Sequence, residues 1–335
     1  MSITRYYANL IHPEDPKDPI RKMCVPSASE LYIEGHFDTS GEQLNTKLDG
    51  IQHKYHNTVL VMSTNTCASY CRFCFRKRLV GLSTNELLNR IDTVTDYIQN
   101  HPEVDNVLIS GGDSFMNDNS VIARYLQKLF LIDHILYVRF GSRIPVVYPM
   151  RIYQDKEFLR IMKTYAKQKQ IYVITHFNHP NECTPQAKKA IKSLQSCGVT
   201  LRNQTVLLRG VNNDPKTLAT LFNTLNAWGI VPYYIFQCRP VKGVKRHFQV
   251  PLLQGCNIVK KTRKELSGLA KQFRYVMSHY TGKIEILGRL SGHRLLCKYH
   301  QVRYDKDHDK MMIFHLREDQ SWIDLKTIAN TEFFS

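Results

Sequence analysis

Cys67, Cys71 and Cys74 stand in the run Thr66-Cys67-Ala68-Ser69-Tyr70-Cys71-Arg72-Phe73-Cys74. Thiolates at this spacing can ligate three irons of one [4Fe–4S] cubane and leave the fourth iron without a protein ligand. An open iron is what S-adenosylmethionine (SAM) needs. Its amino and carboxylate groups chelate the iron, its sulfonium accepts an electron, and homolysis gives a 5′-deoxyadenosyl radical, the cofactor carrying the hard chemistry. The competing use of such a run is a structural zinc, which wants four closed ligands, the fourth here coming from far along the chain. Phe73, just before the third cysteine, suits the SAM form of the motif; packing is the other reason for an aromatic there. The other six of the nine cysteines are scattered, which argues against a disulfide framework and for a reduced compartment with one thiolate site.

Such a site needs elements to position it. Six apolar, β-branched runs, at 59–63, 106–110, 135–140, 171–175, 205–208 and 232–236, are expected to be strands. They recur about 25–45 residues apart, room for a helix each time. Helical patterns fill several gaps, at 85–99, 120–129, 185–196 and 215–227. The repetition predicts parallel strands with crossover helices, an α/β fold closing as a partial (βα)6 TIM-like barrel. In that architecture chemistry gathers at the C-terminal ends of the strands. The cysteines follow the first run there, Gly111-Gly112-Asp113 the second, Gly141-Ser142-Arg143 the third, His176-Phe177-Asn178-His179 the fourth, Arg209-Gly210 the fifth and Cys238-Arg239 the sixth. Gly111 and Gly112 would let backbone approach a ligand closely, and Asp113 could accept from an ammonium; an ordinary turn is the plainer reading. Residues 1–57 read as an N-terminal extension with short helices, 58–250 as the barrel core, and 251–335 as a C-terminal extension. The last holds a helix near 256–273 and strands near 283–287, 301–304 and 311–314.

The chain has 335 residues and ordinary globular composition. It holds no stretch of about 18 apolar residues and no apolar signal core at its N-terminus, so a cytoplasmic protein without membrane spans is expected. Its formal charge is +17. Basic residues crowd between Lys242 and Arg274, and a solvated helix face explains them; nucleic-acid binding is the alternative, although no such motif accompanies the charge.

Longer motifs point to a family. The segments TCASYCRFCFRKRLVG (66–81), LISGGD (108–113), RFGSRIPVVYPMRI (139–152), THFNHPNE (175–182), RNQTVLLRGVN (202–212) and VPYYIF (231–236) resemble the lysine 2,3-aminomutase family of radical SAM enzymes. The resemblance runs from about Asp49 to Lys283. It implies a radical SAM core, a [4Fe–4S] cluster, SAM and also pyridoxal 5′-phosphate (PLP), with movement of an amino group between adjacent carbons of a small-molecule amino acid. By matching position, Arg76 is implied to pair with the substrate α-carboxylate, a task a planar guanidinium suits. His176 and Gln204 are implied to lie near SAM, and Lys283 to hold PLP covalently. A reductase or a flavodoxin- or ferredoxin-type electron donor is implied, and a homo-oligomer stays open.

Three departures matter. Arg239 stands where the lysine-specific enzymes carry an aspartate, and Tyr275-Val276-Met277-Ser278 where a second lies; those acids pair with the ε-ammonium of lysine. A cation there repels that ammonium, so a side-chain carboxylate as in glutamate, or a neutral side chain, fits better. Lys54 and Thr58 stand where the family has two arginines near PLP; Lys54 keeps charge without the bidentate fork. A C-terminal zinc-binding cysteine cluster reduces to Cys297, so no structural zinc is expected. The remaining alternatives are a radical SAM enzyme of this scaffold that has lost aminomutation and modifies another amino acid or a macromolecule, and a basic metal- or nucleic-acid-binding protein without catalysis.

Overall fold

The computed structural model describes every residue except 85, 89, 325, 326, 328–330 and 335. Among the described residues thirteen strands form one sheet in chain order. β1 (Thr46–Leu48) and β2 (Ile51–Tyr55) form a hairpin that pairs antiparallel with β3 (Thr58–Thr64). From β3 the pairing is parallel through β4 (Asn106–Gly111), β5 (Tyr137–Gly141), β6 (Gln170–Thr175), β7 (Thr200–Leu207), β8 (Val231–Gln237) and β9 (Arg274–His279). Antiparallel strands β10 (Gly282–Arg289), β11 (Arg294–Val302), β12 (Met311–His315) and β13 (Glu332–Phe334) complete it.

The helices Ile91–Gln99, Asn119–Phe130, Lys156–Tyr165, Pro185–Ser196, Pro215–Ala227 and Leu252–Lys264 each lie between consecutive parallel strands. The chain is therefore a partial TIM-like barrel, with seven parallel strands where the sequence suggests six. The seventh, β9, follows a basic helix that reads as the start of a tail. Lys260, Lys261 and Lys264 do form its exposed face, while Cys256, Ile258 and Val259 pack inward. Proline at the first helical position and a side-chain cap set two crossovers, Thr184 accepting from Ala187 N at 3.1 Å and Asp214 from Thr217 N at 2.9 Å. Both begin and end where the sequence predicts.

Other boundaries move. The helix expected at 85–99 is Ile91–Gln99, and its expected start, Asn85, lies outside the described residues. The strand expected at 205–208 begins at Thr200, because Asn203 and Gln204 interrupt its apolar pattern. The strand expected at 301–304 is the end of β11, and β1 and β2 arise within a segment read as helical.

Strand alternation sorts the core from the site. Val107, Ile109, Val138, Phe140, Ile171 and Val173 are fully buried in the continuous apolar core. The opposite parity, Leu108 and Ser110, Arg139 and Gly141, Gln204 and Val206, lines the cavity inside the sheet. The sheet curls until β2 meets β9: Lys54 Nζ donates to the His279 carbonyl, and also to Ser40 O at 3.4 Å. No helix among the described residues is long and apolar enough to cross a membrane.

Candidate active site

The cysteines sit on the loop after β3, over the C-terminal ends of the parallel strands, and all three face one cavity of about 330 Å³. That falls at the lower end of ligand-sized clefts. The loop is fastened from beneath. Gly111, at φ +118°, and Gly112 lie so close to it that a Cβ would come within 2.2 Å of Thr64 O and 2.3 Å of Thr66 O. The close approach expected of these glycines toward a ligand is thus made toward the cysteine loop itself, sealed by Asp113 N donating to Thr66 O at 2.8 Å. Asp113 is likewise a brace rather than a free ammonium acceptor. Its carboxylate accepts from Ser142 Oγ at 2.6 Å, Arg143 N at 2.6 Å and Phe115 N at 3.1 Å. Burial nevertheless holds its pKa above the ordinary aspartate value.

Arg143, named by the sequence only as part of a loop, ties the mouth together. Its guanidinium donates to Cys71 Sγ at 2.8 Å, Glu182 Oε1 at 2.6 Å and Tyr7 OH at 2.7 Å. Burial pushes the Cys74 thiol up to about 12 and Cys67 higher still, so metal binding has to displace those protons. Tetrahedral zinc at 2.3 Å from each thiolate needs sulfurs about 3.8 Å apart. The three cysteine sulfurs do not gather within 4.8 Å of one another; among the described residues His53, His101 and Glu103 do, away from the cavity. Both nitrogens of His53 already contact Tyr97 OH and His56 O, at 2.9 Å each. Three thiols on one loop facing one cavity suit three irons of a cubane.

His176 and Gln204 line the same cavity. Burial, then Arg143, presses the His176 pKa down to about 3, so its imidazole is neutral. Its Nε2 is buried without a partner, and its ring meets Phe73 edge-on at 5.6 Å.

Arg76 is buried, 4% exposed, and is already paired. Its Nε donates to Glu42 Oε1 at 2.9 Å and its Nη1 to Ser110 Oγ at 3.0 Å. Glu42 comes from the N-terminal extension and also accepts from Arg78 at 3.0 Å. Burial alone would raise the Glu42 pKa, but Arg76 and Arg239 hold it below the ordinary value. The sequence signals no role for Glu42. Arg239 differs: its guanidinium lies 4.1 Å over the Phe75 ring, its Nη1 is buried with no partner, and desolvation brings its pKa down to about 10.

Lys283, on β10, lines the same cavity. Its Nζ donates to Gln301 Oε1 at 2.8 Å and lies 4.4 Å from the Tyr234 ring centre. Desolvation, then the charges of Arg139, Lys54 and Arg239, lower its pKa to about 7. An amine neutral near pH 7 beside surplus cations is what a covalently held aldehyde cofactor with a phosphate requires. The residues present therefore fit PLP, Lys283 being the amine that could hold it. The cysteines, His176, Gln204, Arg76, Arg239, Lys54 and Lys283 thus share one cavity. Of the six strand-end motifs expected at a common mouth, Arg209-Gly210 stays outside it, exposed on the surface.

No family model matches the chain. Curated relatives do. It is 40% identical over 332 residues to a putative L-lysine 2,3-aminomutase of Aquifex aeolicus, covering 98% of this chain and 88% of that one. It is 40% identical over 271 residues to the L-lysine 2,3-aminomutase of Clostridium subterminale, covering 80% and 64%. It is 38% identical over 271 residues to the glutamate 2,3-aminomutase of Clostridioides difficile, covering 80% and 63%. The chain thus spans a little under two thirds of the length of the last two. Among solved structures, a radical SAM methyltransferase from Sphaerobacter thermophilus aligns over 68% of both chains at 14% identity and a TM-score of 0.44, too loose a likeness to carry an argument. A partial barrel with three cluster-spaced cysteines on the loop after its first parallel strand is of the radical SAM class. Within that class the chain belongs to the lysine 2,3-aminomutase family.

Proposed function

We propose that the chain is a radical SAM, PLP-dependent 2,3-aminomutase acting on an amino acid with an acidic side chain, glutamate first. The observation that carries this is the bare Nη1 of Arg239, buried in the same cavity as Lys283. An unpaired guanidinium there favours a carboxylate and penalises the ammonium of lysine.

When bound, the cluster and SAM supply hydrogen-atom abstraction, and PLP supplies stabilisation of a radical beside the migrating nitrogen. The chain's residues do the rest. Cys67, Cys71 and Cys74 would hold the cluster, with Arg143 steadying Cys71. Gly111, Gly112 and Asp113 fix the loop that carries them. His176 stays neutral, and its free Nε2 with Gln204 faces the space for SAM. Lys283 offers an amine brought to a pKa of about 7 to attach PLP, and Lys54, brought by burial to about 7 as well, lines the same cavity and gains a proton more readily beside an anion. Arg76, oriented by Glu42, faces the α-carboxylate, and Arg239 the side-chain carboxylate. Held at both ends, the substrate presents its β-carbon in one orientation. A reductase or a flavodoxin- or ferredoxin-type protein would supply the electron. In this reading 58–250 is the catalytic core, with 1–57 contributing Glu42 and Lys54 and 251–335 contributing Lys283, in a cytoplasmic enzyme.

The test is product analysis. The cluster-reconstituted, reduced protein receives SAM and PLP with glutamate or with lysine, and β-amino acids are sought by mass spectrometry. β-Glutamate is expected. Preferential turnover of lysine contradicts the substrate assignment. Formation of 5′-deoxyadenosine with no β-amino acid from either, or from a wider amino-acid panel, indicates the same scaffold turned to another substrate.

A further inference from the structure

Outside the cavity, one further set of side chains has the chemistry of a metal's ligands. His53, His101 and Glu103 each bring a ligand atom within 4.8 Å of the other two. None of the three lines the cavity. His53 lies on β2, where strand alternation gives it the opposite parity to Lys54, which faces the cavity. His101 and Glu103 lie in the turn that follows the helix Ile91–Gln99. That turn is fastened by His101 N donating to Ile98 O at 2.9 Å and Val104 N to His101 O at 3.0 Å. All three side chains are half-buried.

The two imidazoles are already oriented as metal ligands are. A carbonyl oxygen only accepts, so the ring nitrogen against it carries the proton. His101 Nδ1 donates to Tyr97 O at 2.6 Å, and His53 Nε2 donates to His56 O at 2.9 Å. In the neutral rings this makes His101 Nε2 and His53 Nδ1 the lone-pair nitrogens. An outer N–H held by a backbone carbonyl fixes the tautomer and ring direction of a metal-ligating histidine in just this way. Tyr97 completes the frame. Its ring stacks on His101 at 4.0 Å, and its hydroxyl donates to the neutral His53 at Nδ1, 2.9 Å away. Burial, then the charge of Glu103, raises the Tyr97 pKa, so the carboxylate lies near that ring.

We propose that His53 Nδ1, His101 Nε2 and the Glu103 carboxylate form a site for one divalent transition metal ion, zinc first. Two imidazoles and a carboxylate suit zinc, whereas magnesium and calcium favour sets of oxygen ligands. Zinc at about 2.0–2.2 Å from each atom brings them to about 3.4 Å apart, a closure that the flexible Glu103 side chain can make. The ion takes the place of the Tyr97 proton on His53 Nδ1, and that hydroxyl or a water supplies the fourth ligand. The expected lack of a structural zinc rested on Cys297 standing alone near the C-terminus; this set uses no thiol. An ion here clamps β2 to the turn before β4, on the wall behind Lys54. Asp105 N donating to Asn57 O at 3.2 Å and Asn57 Nδ2 to Asp105 Oδ2 at 3.0 Å already join the β2–β3 hairpin to that turn. The ion's role is structural, and it holds whether or not the PLP reading does.

The experiment titrates the cluster-loaded protein with zinc against a fluorescent zinc indicator, so that the three cluster cysteines are already occupied. Wild type is expected to bind one zinc per chain with a Kd below about 1 μM. His53→Gln, His101→Ala and Glu103→Gln should each weaken binding by at least about 10-fold. His308→Ala, an exposed histidine outside the set, should leave it unchanged. Zinc at 100 times its Kd should also raise the denaturation midpoint of wild type by about 5 °C, and that of His101→Ala by less than about 1 °C at the same concentration. Should His53→Gln fail to fold, positions 101 and 103, in a turn, carry the test. A wild-type Kd above about 1 μM overturns the assignment. So does a loss of less than about 10-fold in His101→Ala or Glu103→Gln, or an equal midpoint shift in His101→Ala; the three residues are then a hydrogen-bonded aromatic cluster and no more.

Discussion

Arg76 and Arg239 share one cavity and differ in what they have left to give. Arg76 is held by Glu42, Ser110 and Gly111. Arg239 stacks on Phe75 and keeps a buried Nη1 with no partner. The first arginine is positioned before any ligand arrives, by an acid on the N-terminal extension. The second has been desolvated without compensation, which is costly unless a ligand completes it. In the proposed reading, orientation toward the α-carboxylate and selection by the side chain therefore belong to different residues. A substitution that leaves the first intact can still change which substrate is accepted.

The largest expected effect lies at Lys283, in the same cavity. Lys283→Ala should lower β-amino acid formation by at least about 10³-fold while 5′-deoxyadenosine still forms, because on the proposed function the amine that holds PLP is gone and radical generation is not. Parallel loss of both products would instead tie Lys283 to the radical site. Next comes Arg239→Gln, which should reduce kcat/KM for glutamate by about 100-fold. An equal loss in Arg239→Gln for neutral amino acids would show that Arg239 shapes the pocket without reading charge.

Glu42→Gln probes the other arm of the comparison. Removing one charge of this buried pair should cost about 3 kcal/mol of stability, seen as a lower denaturation midpoint, with the glutamate-to-lysine preference kept. If that preference changes instead, Arg76 and Arg239 are not separable. The smallest effect is on pH. The amine of Lys283 reacts only when neutral, and its pKa is about 7. The rate of PLP attachment should rise with pH through about 7 and then level off, whereas an ordinary lysine would keep gaining beyond about pH 9. In Arg139→Gln the midpoint should move upward, since a neighbouring like charge has been removed.

Much of this was legible before the fold. Pro185–Ser196 and Pro215–Ala227 declare their own ends through capping residues and proline. The cysteine loop declares itself through spacing alone. Arg139 could have been found as well: it is the polar residue of inward parity in a run otherwise apolar. Strand β9 could not, since its short run Tyr275-Val276-Met277 follows a basic helix and looks like a tail until it pairs with β8. Glu42 was hidden for a related reason. Its partner Arg76 lies 34 residues away, and nothing local in the extension marks a buried acid. The roles first suggested for Gly112 and Asp113 changed because contact between two loops depends on strand geometry that residue types do not convey.

The central claim is that the free guanidinium of Arg239 selects an acidic substrate. The most direct measurement is the ratio of kcat/KM for glutamate over lysine in wild type and in Arg239→Asp, both cluster-reconstituted and supplied with SAM and PLP. The account predicts a wild-type ratio well above one that falls by at least about 100-fold in Arg239→Asp, as the charge facing the side chain reverses. A wild type that prefers lysine, or a ratio unmoved by the substitution, would contradict it.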